Sequence, residues 1–530
     1  MNNSVVVKIP CGSLRGVVER SFEGYDYCAF KGIPYAEPPV GQLRFRDPIP
    51  VKPWSGVRDA TNFGPMCIQN DFMSRSIVGS DDCLYLNIYV KFVDPNNHLP
   101  VMVFIHGGGF IFGSGDDLFY GPDYLLRKDI VLVTFNYRLG VLGFLNFGHE
   151  VAPGNQGLKD QVMLLQWVNK NIKHFGGDPS NITIFGESAG GSSVHYLTLS
   201  SLATGLFHKA ISHSGVACNP WACTSDIQNA YKLCKNLGKD STDPKELVDF
   251  LRSIDCTKII QAQENMRSYE NRLYCTVVFG PGVDNKSKEP FMPIHPLKAM
   301  EKGINVPLII GCNVCEGIMI LPGLKDSIME EFEHNFEKYL NPVSILLLQR
   351  IGITPNDLKH YYFGDEKMSL KNVNKYIEYC TDLHFLEGIH RVISFQTKKS
   401  STSTYFYRFT YDKEFSIMKS FINSTLPGTA HFDDLQYIFS MRMYDLLNIK
   451  HAKPGTTAYR IIEQITEMWV NFAKFGKPTP VKCDLLPIDW LPVSSDKNFC
   501  TLNINEELKI ENTISIDERL TKKKHTKNKL

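Results

Sequence analysis

Apolar residues along this chain follow two rhythms. Short unbroken runs recur at Val101-Met102-Val103-Phe104-Ile105, Ile130–Phe135, Asn181-Ile182-Thr183-Ile184-Phe185, Val306-Pro307-Leu308-Ile309-Ile310 and Tyr405-Phe406-Tyr407-Arg408-Phe409. Runs this short, without polar alternation, predict parallel strands buried on both faces. Between them the apolar spacing turns helical. Across Gly157–His174, Leu158, Val162, Leu165 and Ile172 share one face, and Gly176-Gly177 stops the helix. Strands alternating with helices predict an α/β fold, a large, mostly parallel central sheet covered by helices on both faces. No repeat and no Gly/Ser/Pro linker divides the chain, so residues 1–510 read as a single domain with insertions. Residues 511–530 read as a polar basic tail. Its lysine-rich end, Thr521–Leu530, is too polar to pack and is expected to be disordered.

Composition narrows the function. The 530 residues carry 57 Lys+Arg against 56 Asp+Glu, a net charge of +1. No global field draws the chain to nucleic acid, so that partner class is set aside. No apolar run approaches the roughly 18–20 residues that span a bilayer, and no membrane span is expected. The start, Met1-Asn2-Asn3-Ser4-Val5-Val6-Val7-Lys8, lacks the basic region and apolar core of a secretion signal. If Met1 is the natural start the chain is expected in the cytoplasm; a leader removed ahead of it would make the protein secreted. The 14 cysteines form no tight framework. Cys312-x-x-Cys315 has no second pair at zinc spacing, so neither a metal nor any other cofactor is expected.

Two glycine-rich segments carry chemistry. Gly186-Glu187-Ser188-Ala189-Gly190 fits G-x-S-x-G and sits between a strand and a helix start rich in small residues. A tight turn there strains the serine backbone and presents its hydroxyl at the strand's C-terminal end, where a helix N-terminus favours negative charge. Ser188 is therefore the candidate nucleophile. His106-Gly107-Gly108-Gly109 directly follows the strand Val101–Ile105. Acyl transfer needs backbone N–H groups aimed at an oxygen that becomes charged. Gly108, Gly109 and Ala189 are the candidate donors. A phosphate-binding loop would need G-x-G-x-x-G or G-K-[ST], and neither is present.

Further segments make the chain recognisable: Lys31-Gly32-Ile33-Pro34-Tyr35-Ala36-Glu37-Pro38-Pro39, Asp82-Cys83-Leu84-Tyr85-Leu86-Asn87 and Asn136-Tyr137-Arg138-Leu139-Gly140. With the two glycine motifs they resemble the type-B carboxylesterase/cholinesterase family to about Leu508. Gly154–Gln161 and Leu502-Asn503-Ile504 look most like insect α-esterases. The resemblance implies the α/β-hydrolase fold and a serine carboxylesterase working through an acyl-enzyme in xenobiotic or lipid ester turnover. Its substrates would be small-molecule esters, and organophosphates its inhibitors. It implies Glu316, in Gly311–Gly317, as the acid. It implies His431, in Gly428-Thr429-Ala430-His431-Phe432-Asp433-Asp434-Leu435-Gln436-Tyr437, as the base. The order Ser, Glu, His is that of this hydrolase fold. Cys67 and Cys83 match the family's first disulfide, while the partner positions of a second are incomplete, which leaves the redox state of the pair open.

Departures from the family pattern bear on substrate. Cholinesterases hold a Trp between the first two cysteines to receive a quaternary ammonium; Ile68–Asp82 has none, its aromatic being Phe72. Many juvenile hormone esterases have Gln before the nucleophile, where this chain has Glu187. Trp221 resembles a pocket-lining position of insect α-esterases, and equally fits a core indole. Two other functions compete with ester turnover: slow sequestration of organophosphates or lipids, and adhesion on the same fold, as in the neuroligins. The second class lacks a working nucleophile and carries a membrane anchor.

Overall fold

Alternate residues of each apolar run face opposite ways, and that parity organises the molecule. The computed structural model describes residues 4–224, 226–267 and 277–527. In chain order the main sheet contains β1 (Ser4–Ile9), β2 (Gly12–Arg20), β3 (Asp26–Pro34), β4 (Tyr85–Val90), β5 (Leu99–Ile105) and β6 (Val131–Phe135). It continues with β7 (Gly177–Glu187), β8 (Lys209–His213), β9 (Leu308–Asn313), β10 (Thr404–Phe409), β11 (Asn498–Ile504) and β12 (Lys509–Ile514). The spatial order is β1-β2-β3-β4-β6-β5-β7-β8-β9-β10-β11-β12, with Val57–Asp59 paired to β2 off this path. From β6 to β11 every neighbour is parallel. The two ends, β1 to β4 with β6, and β11 with β12, are antiparallel.

Each face has its own core. On β5, Val101, Val103 and Ile105 enter one buried cluster while Met102 and Phe104 enter another. On β9, Leu308 and Ile310 take the first side and Ile309 the second. The first cluster is closed by α1 (Gln156–Asn171) through Leu158, Leu165 and Val168, by α2 (Ala189–Leu199) through Val194 and Leu197, and by α3 (Glu387–Lys399) through Ile389 and Ile393. The second is closed by α5 (Thr457–Phe475), which follows the short α4 (Arg442–Leu446) and offers Ile461, Ile465, Met468 and Phe472. Burial on both faces explains why the parallel strands read as continuous apolar runs. The expected helix over Gly157–His174 begins one residue earlier and tightens into a 3-10 turn at Ile172–Phe175; Gly176, at φ 89°, ends it.

The loop after β6 is locked to α1 by a buried ion pair. The Arg138 backbone N–H and Nε donate to Asp160 Oδ2 at 3.1 and 2.8 Å, and Nη2 donates to Oδ1 at 2.6 Å. Two-pronged pairing of this kind is what a buried charge requires.

The C-terminal segment departs from expectation. Residues past 510 are not a bare tail. β12 pairs along β11 from Asn498↔Ile514 to Asn503↔Lys509, and α6 (Ile516–Lys527) follows it. Ile516 and Leu520 are buried among the first cluster, and Arg519 Nη2 donates to Asp382 at 2.7 Å. Two apolar residues one turn apart suffice to dock a helix whose remaining positions are polar. The final three residues of the expected disordered end, 528–530, lie outside the described residues. Leu520, 3% exposed, supplies a test. Leu520→Ala should lower stability by about 2–5 kcal/mol, read as an earlier thermal or urea midpoint; an unchanged midpoint would show that this helix does not pack.

Candidate active site

Ser188 sits where β7 ends and α2 begins, with φ 59° and ψ −121°. A non-glycine residue at positive φ holds strain that its surroundings must impose. They do so through contact with the neighbouring strand. β5 and β7 lie in register, Ile105 opposite Gly186. A Cβ on Gly186 would stand 2.6 Å from the Gly190 backbone, and one on Gly190 would fall on the Ile105 carbonyl oxygen. Only glycine fits at both places. The Ser188 N–H donates to the His213 carbonyl at 2.9 Å, tying the turn to β8. The side chain is 8% exposed.

Three further strands deliver the other groups. Beyond β9, Glu316 Oε2 lies 2.5 Å from His431 Nδ1. Glu316 Oε1 accepts from the Asn313 N–H at 2.7 Å and from the Ser214 hydroxyl. His431 follows β10 on a loop braced by Asp433, which accepts from the Ala430 N–H at 2.7 Å and from Ser416 Oγ at 2.6 Å. Burial pushes the Asp433 carboxyl up to about 7. The glycine loop after β5 closes over this corner, a Cβ on Gly107 standing 3.1 Å from Ser188 Cβ. Among the described hydrogen bonds the amides of Gly108, Gly109 and Ala189 have no acceptor within the protein. Gly108 is at φ 100°, and a Cβ there would meet the Phe112 carbonyl oxygen.

Glu187 holds a place that the sequence reading missed. The sequence treated it as a marker of substrate preference, but its carboxylate Oε1 lies 3.0 Å from His431 Nε2. The imidazole therefore stands between two buried carboxylates, one at each nitrogen. Burial alone would discharge the ring, yet Glu187 and Glu316 together hold its pKa well above the ordinary value. Burial raises the Glu187 carboxyl, against the pull of His431. The available signal was that Glu187 is the last residue of β7 and adjoins the turn at Ser188.

A second buried network lies one layer below. Asp434 Oδ2 accepts from His213 Nδ1 at 2.9 Å and from the Tyr407 hydroxyl at 2.9 Å, and Oδ1 accepts from Asn313 Nδ2 at 3.1 Å. Trp469 Nε1 donates to His213 Nε2 at 3.0 Å. Burial would raise the Asp434 pKa, but the bonds from His213, Asn313 and Tyr407 hold it low. This layer supports the site from beneath: His213 supplies the carbonyl that Ser188 bonds, and Asn313 supplies the amide that Glu316 bonds.

Trp221 is 8% exposed, with Nε1 donating to the His384 carbonyl at 2.9 Å. Phe385 touches both rings, 5.8 Å from Trp221 and 5.1 Å from His431 between centroids. The indole thus lies one side chain away from the imidazole. Cys67 and Cys83 are joined by a disulfide. Phe72, inside that loop, stacks on Phe112 at 5.5 Å and carries the Arg75 guanidinium 4.8 Å over its ring. Among the described residues no His/Cys/Asp/Glu group could hold a metal ion, and no helix is long and apolar enough to cross a membrane.

A mostly parallel sheet with a strained serine at one strand end, and an imidazole and a carboxylate at two others, defines an α/β-hydrolase. The chain belongs to the carboxylesterase family, whose model matches residues 3–526. It is 36% identical over 502 residues to a juvenile hormone esterase of Tribolium castaneum, covering 88% of this chain and 83% of that one. It is 34% identical to esterase FE4 of Myzus persicae, covering 93% and 88%. Among solved structures it resembles juvenile hormone esterase from Manduca sexta with OTFP covalently attached. That match has a TM-score of 0.84 at 29% identity, over 99% of this chain and all of that one. The chain is a carboxylic-ester hydrolase.

The Glu187 contact generates a prediction. A carboxylate beside a base favours its charged form, so removing it makes the imidazole lose its proton at lower pH. Glu187→Gln should shift the acid limb of kcat/KM toward lower pH, with the hydrolase still folded. An unmoved limb would show that Glu187 does not govern the titration of His431.

Proposed function

We propose that Ser188 is the nucleophile, His431 the general base and Glu316 the acid that orients it, with Gly108, Gly109 and Ala189 donating to the oxyanion. The observation that carries this reading is the 2.5 Å contact of His431 Nδ1 with Glu316 Oε2 beside the strained Ser188 turn. With its Nδ1–H held by Glu316, neutral His431 keeps Nε2 free of a proton and takes the one from Ser188 as the hydroxyl attacks the ester carbonyl. The resulting imidazolium is flanked by Glu316 and Glu187, and the carbonyl oxygen, now charged, meets the three unspent amides. Each such donor contributes about 2.7–4 kcal/mol to transition-state binding. His431 then protonates the leaving alcohol, and water repeats the sequence on the acyl-enzyme.

The substrates are small to medium apolar esters, in xenobiotic or lipid turnover. Trp221 and Phe385 beside the imidazole favour an apolar acyl or alcohol group. Phe72 already carries a guanidinium of its own chain, which argues against a quaternary ammonium there. Organophosphates would phosphorylate Ser188. We place the work inside the cell, a reading supported by the free thiols of buried Cys218, Cys234 and Cys312, while the Cys67–Cys83 bridge pulls toward an oxidising compartment.

An ester panel tests this. Wild type should turn over p-nitrophenyl esters rapidly across several acyl lengths and acetylthiocholine poorly. Ser188→Ala should lower kcat by a factor on the order of 10⁶. Stoichiometric acylation with slow release would favour the sequestering function instead, and equal rates in mutant and wild type would remove the mechanism.

A further inference from the structure

A cavity of about 720 Å³ lies away from the serine corner, and Ser188, Glu316 and His431 take no part in its lining. It opens between residues 63–66, just ahead of the disulfide loop, residues 78–79 within that loop, and the exposed end of α4. Its inner wall is the segment that follows the glycine loop. That segment has two sides. Phe112 and Phe119 pack toward Phe72, Phe421 and Phe432, the residue after His431. Ser114, Asp116, Asp117 and Leu118 line the cavity.

Size and chemistry both suit an amphiphile. Small-molecule sites run to about 300–1,000 Å³, with mostly apolar walls and a few placed polar groups. Here Phe63, Met66, Val78 and Leu118 supply the walls. The charges in the lining are the carboxylates of Asp116, Asp117 and Asp445 against the guanidinium of Arg442. Arg442 Nε reaches Asp117 at 3.1 Å, and its side chain is more than half exposed. Asp117 is buried, and despite Arg442 and Lys31 its carboxyl is pushed up to about 6. The cations already present do not offset what desolvation costs that carboxylate.

We propose that this cavity binds a cationic amphiphile, an alkylammonium whose chain packs on Phe63, Met66, Val78 and Leu118 while its head is held by Asp117, beside Asp116, whose two oxygens already accept from Ser114 Oγ and the Leu118 N–H. Negative charge in the lining selects the sign of the head, and the apolar walls select a chain over a bare ion.

Calorimetric titration with decyltrimethylammonium, and with decanoate as its length-matched anion, decides the matter. One saturable site for the ammonium is expected, with decanoate at least tenfold weaker. Asp117→Asn, which keeps the shape and removes the charge, should weaken the ammonium at least tenfold. Val78→Trp, which fills the space, should abolish binding. Ester turnover by each variant reports that it is folded; should Val78→Trp fail that check, Asp117→Asn decides alone. Decanoate binding as tightly as the ammonium would overturn the proposal, as would non-saturable uptake or affinity unchanged in the folded variants.

Discussion

Two parallel strands that end together set the terms for the site. β5 and β7 are in register up to Ile105 and Gly186, and the backbone just beyond them approaches closely enough to exclude any side chain at Gly186 or Gly190. That approach forces the chain at Ser188 to positive φ and brings the glycine loop after β5 over the same corner. Hydroxyl and amide donors are thus fixed by the backbone of adjacent strands, which a parallel sheet holds more rigidly than any surface loop could. The remaining groups come from the next strands outward, β9 and β10. Their order in space, β7-β8-β9-β10, repeats their order in the chain.

Gathering acids at a buried corner has an electrostatic cost, and the structure meets it by pairing. Glu187, Glu316 and Asp434 are all buried, and each has a partner: His431 for the first two, His213 for the third. Isolated buried charges shift their pKa and neutralise; paired and hydrogen-bonded ones persist. Neighbouring Asp433 and Asp434 show the difference. The former, bonded to one amide and one hydroxyl, is pushed up by burial, while the latter, with three side-chain donors, stays low. Glu187 adds a tension. In the proposed mechanism the carboxylate that would stabilise the imidazolium in the transition state also favours the charged ring at rest, so the affinity for charge that would help the reaction reduces the fraction of enzyme with a free base.

The legible parts of the sequence were those where one physical demand dominates. Strands buried on both faces have only apolar choices, and β5, β6, β7 and β10 appear as unbroken runs. Gly186 and Gly190 are required by a single close approach, so the motif stands out. The edges were not legible. β2 contains Arg15, Glu19 and Arg20 on a half-solvated strand, and its pattern competes with that of a loop. β9 shifted because Pro307 cannot donate within a ladder, so the strand starts at Leu308 and runs through the glycine to Asn313. Helix α6 was hidden by its lysines, although Ile516 and Leu520 are enough to hold it. His213 and Asp434 meet across more than two hundred residues of chain, a pairing for which no local signal exists.

The segment from Phe112 to Phe119 shows how one stretch can serve two environments. Its backbone is held on both sides: Gly113 N–H donates to Gln69 Oε1 at 2.6 Å, Gly115 N–H to Asn136 Oδ1 at 2.8 Å, and Asn87 Nδ2 donates to the Gly115 carbonyl at 2.9 Å. With the backbone bonds satisfied by buried amides, the side chains are free to differ in character. Phe112 and Phe119 join the aromatic surface beside His431, and Asp116 and Asp117 face the cavity behind it. A carboxylate pair placed on the aromatic side would put charge into the apolar surface beside His431, and this wall keeps the two environments apart. The amide side chains of Gln69, Asn87 and Asn136 make that separation possible, because they let a stretch of irregular backbone stay buried with its polar groups paired.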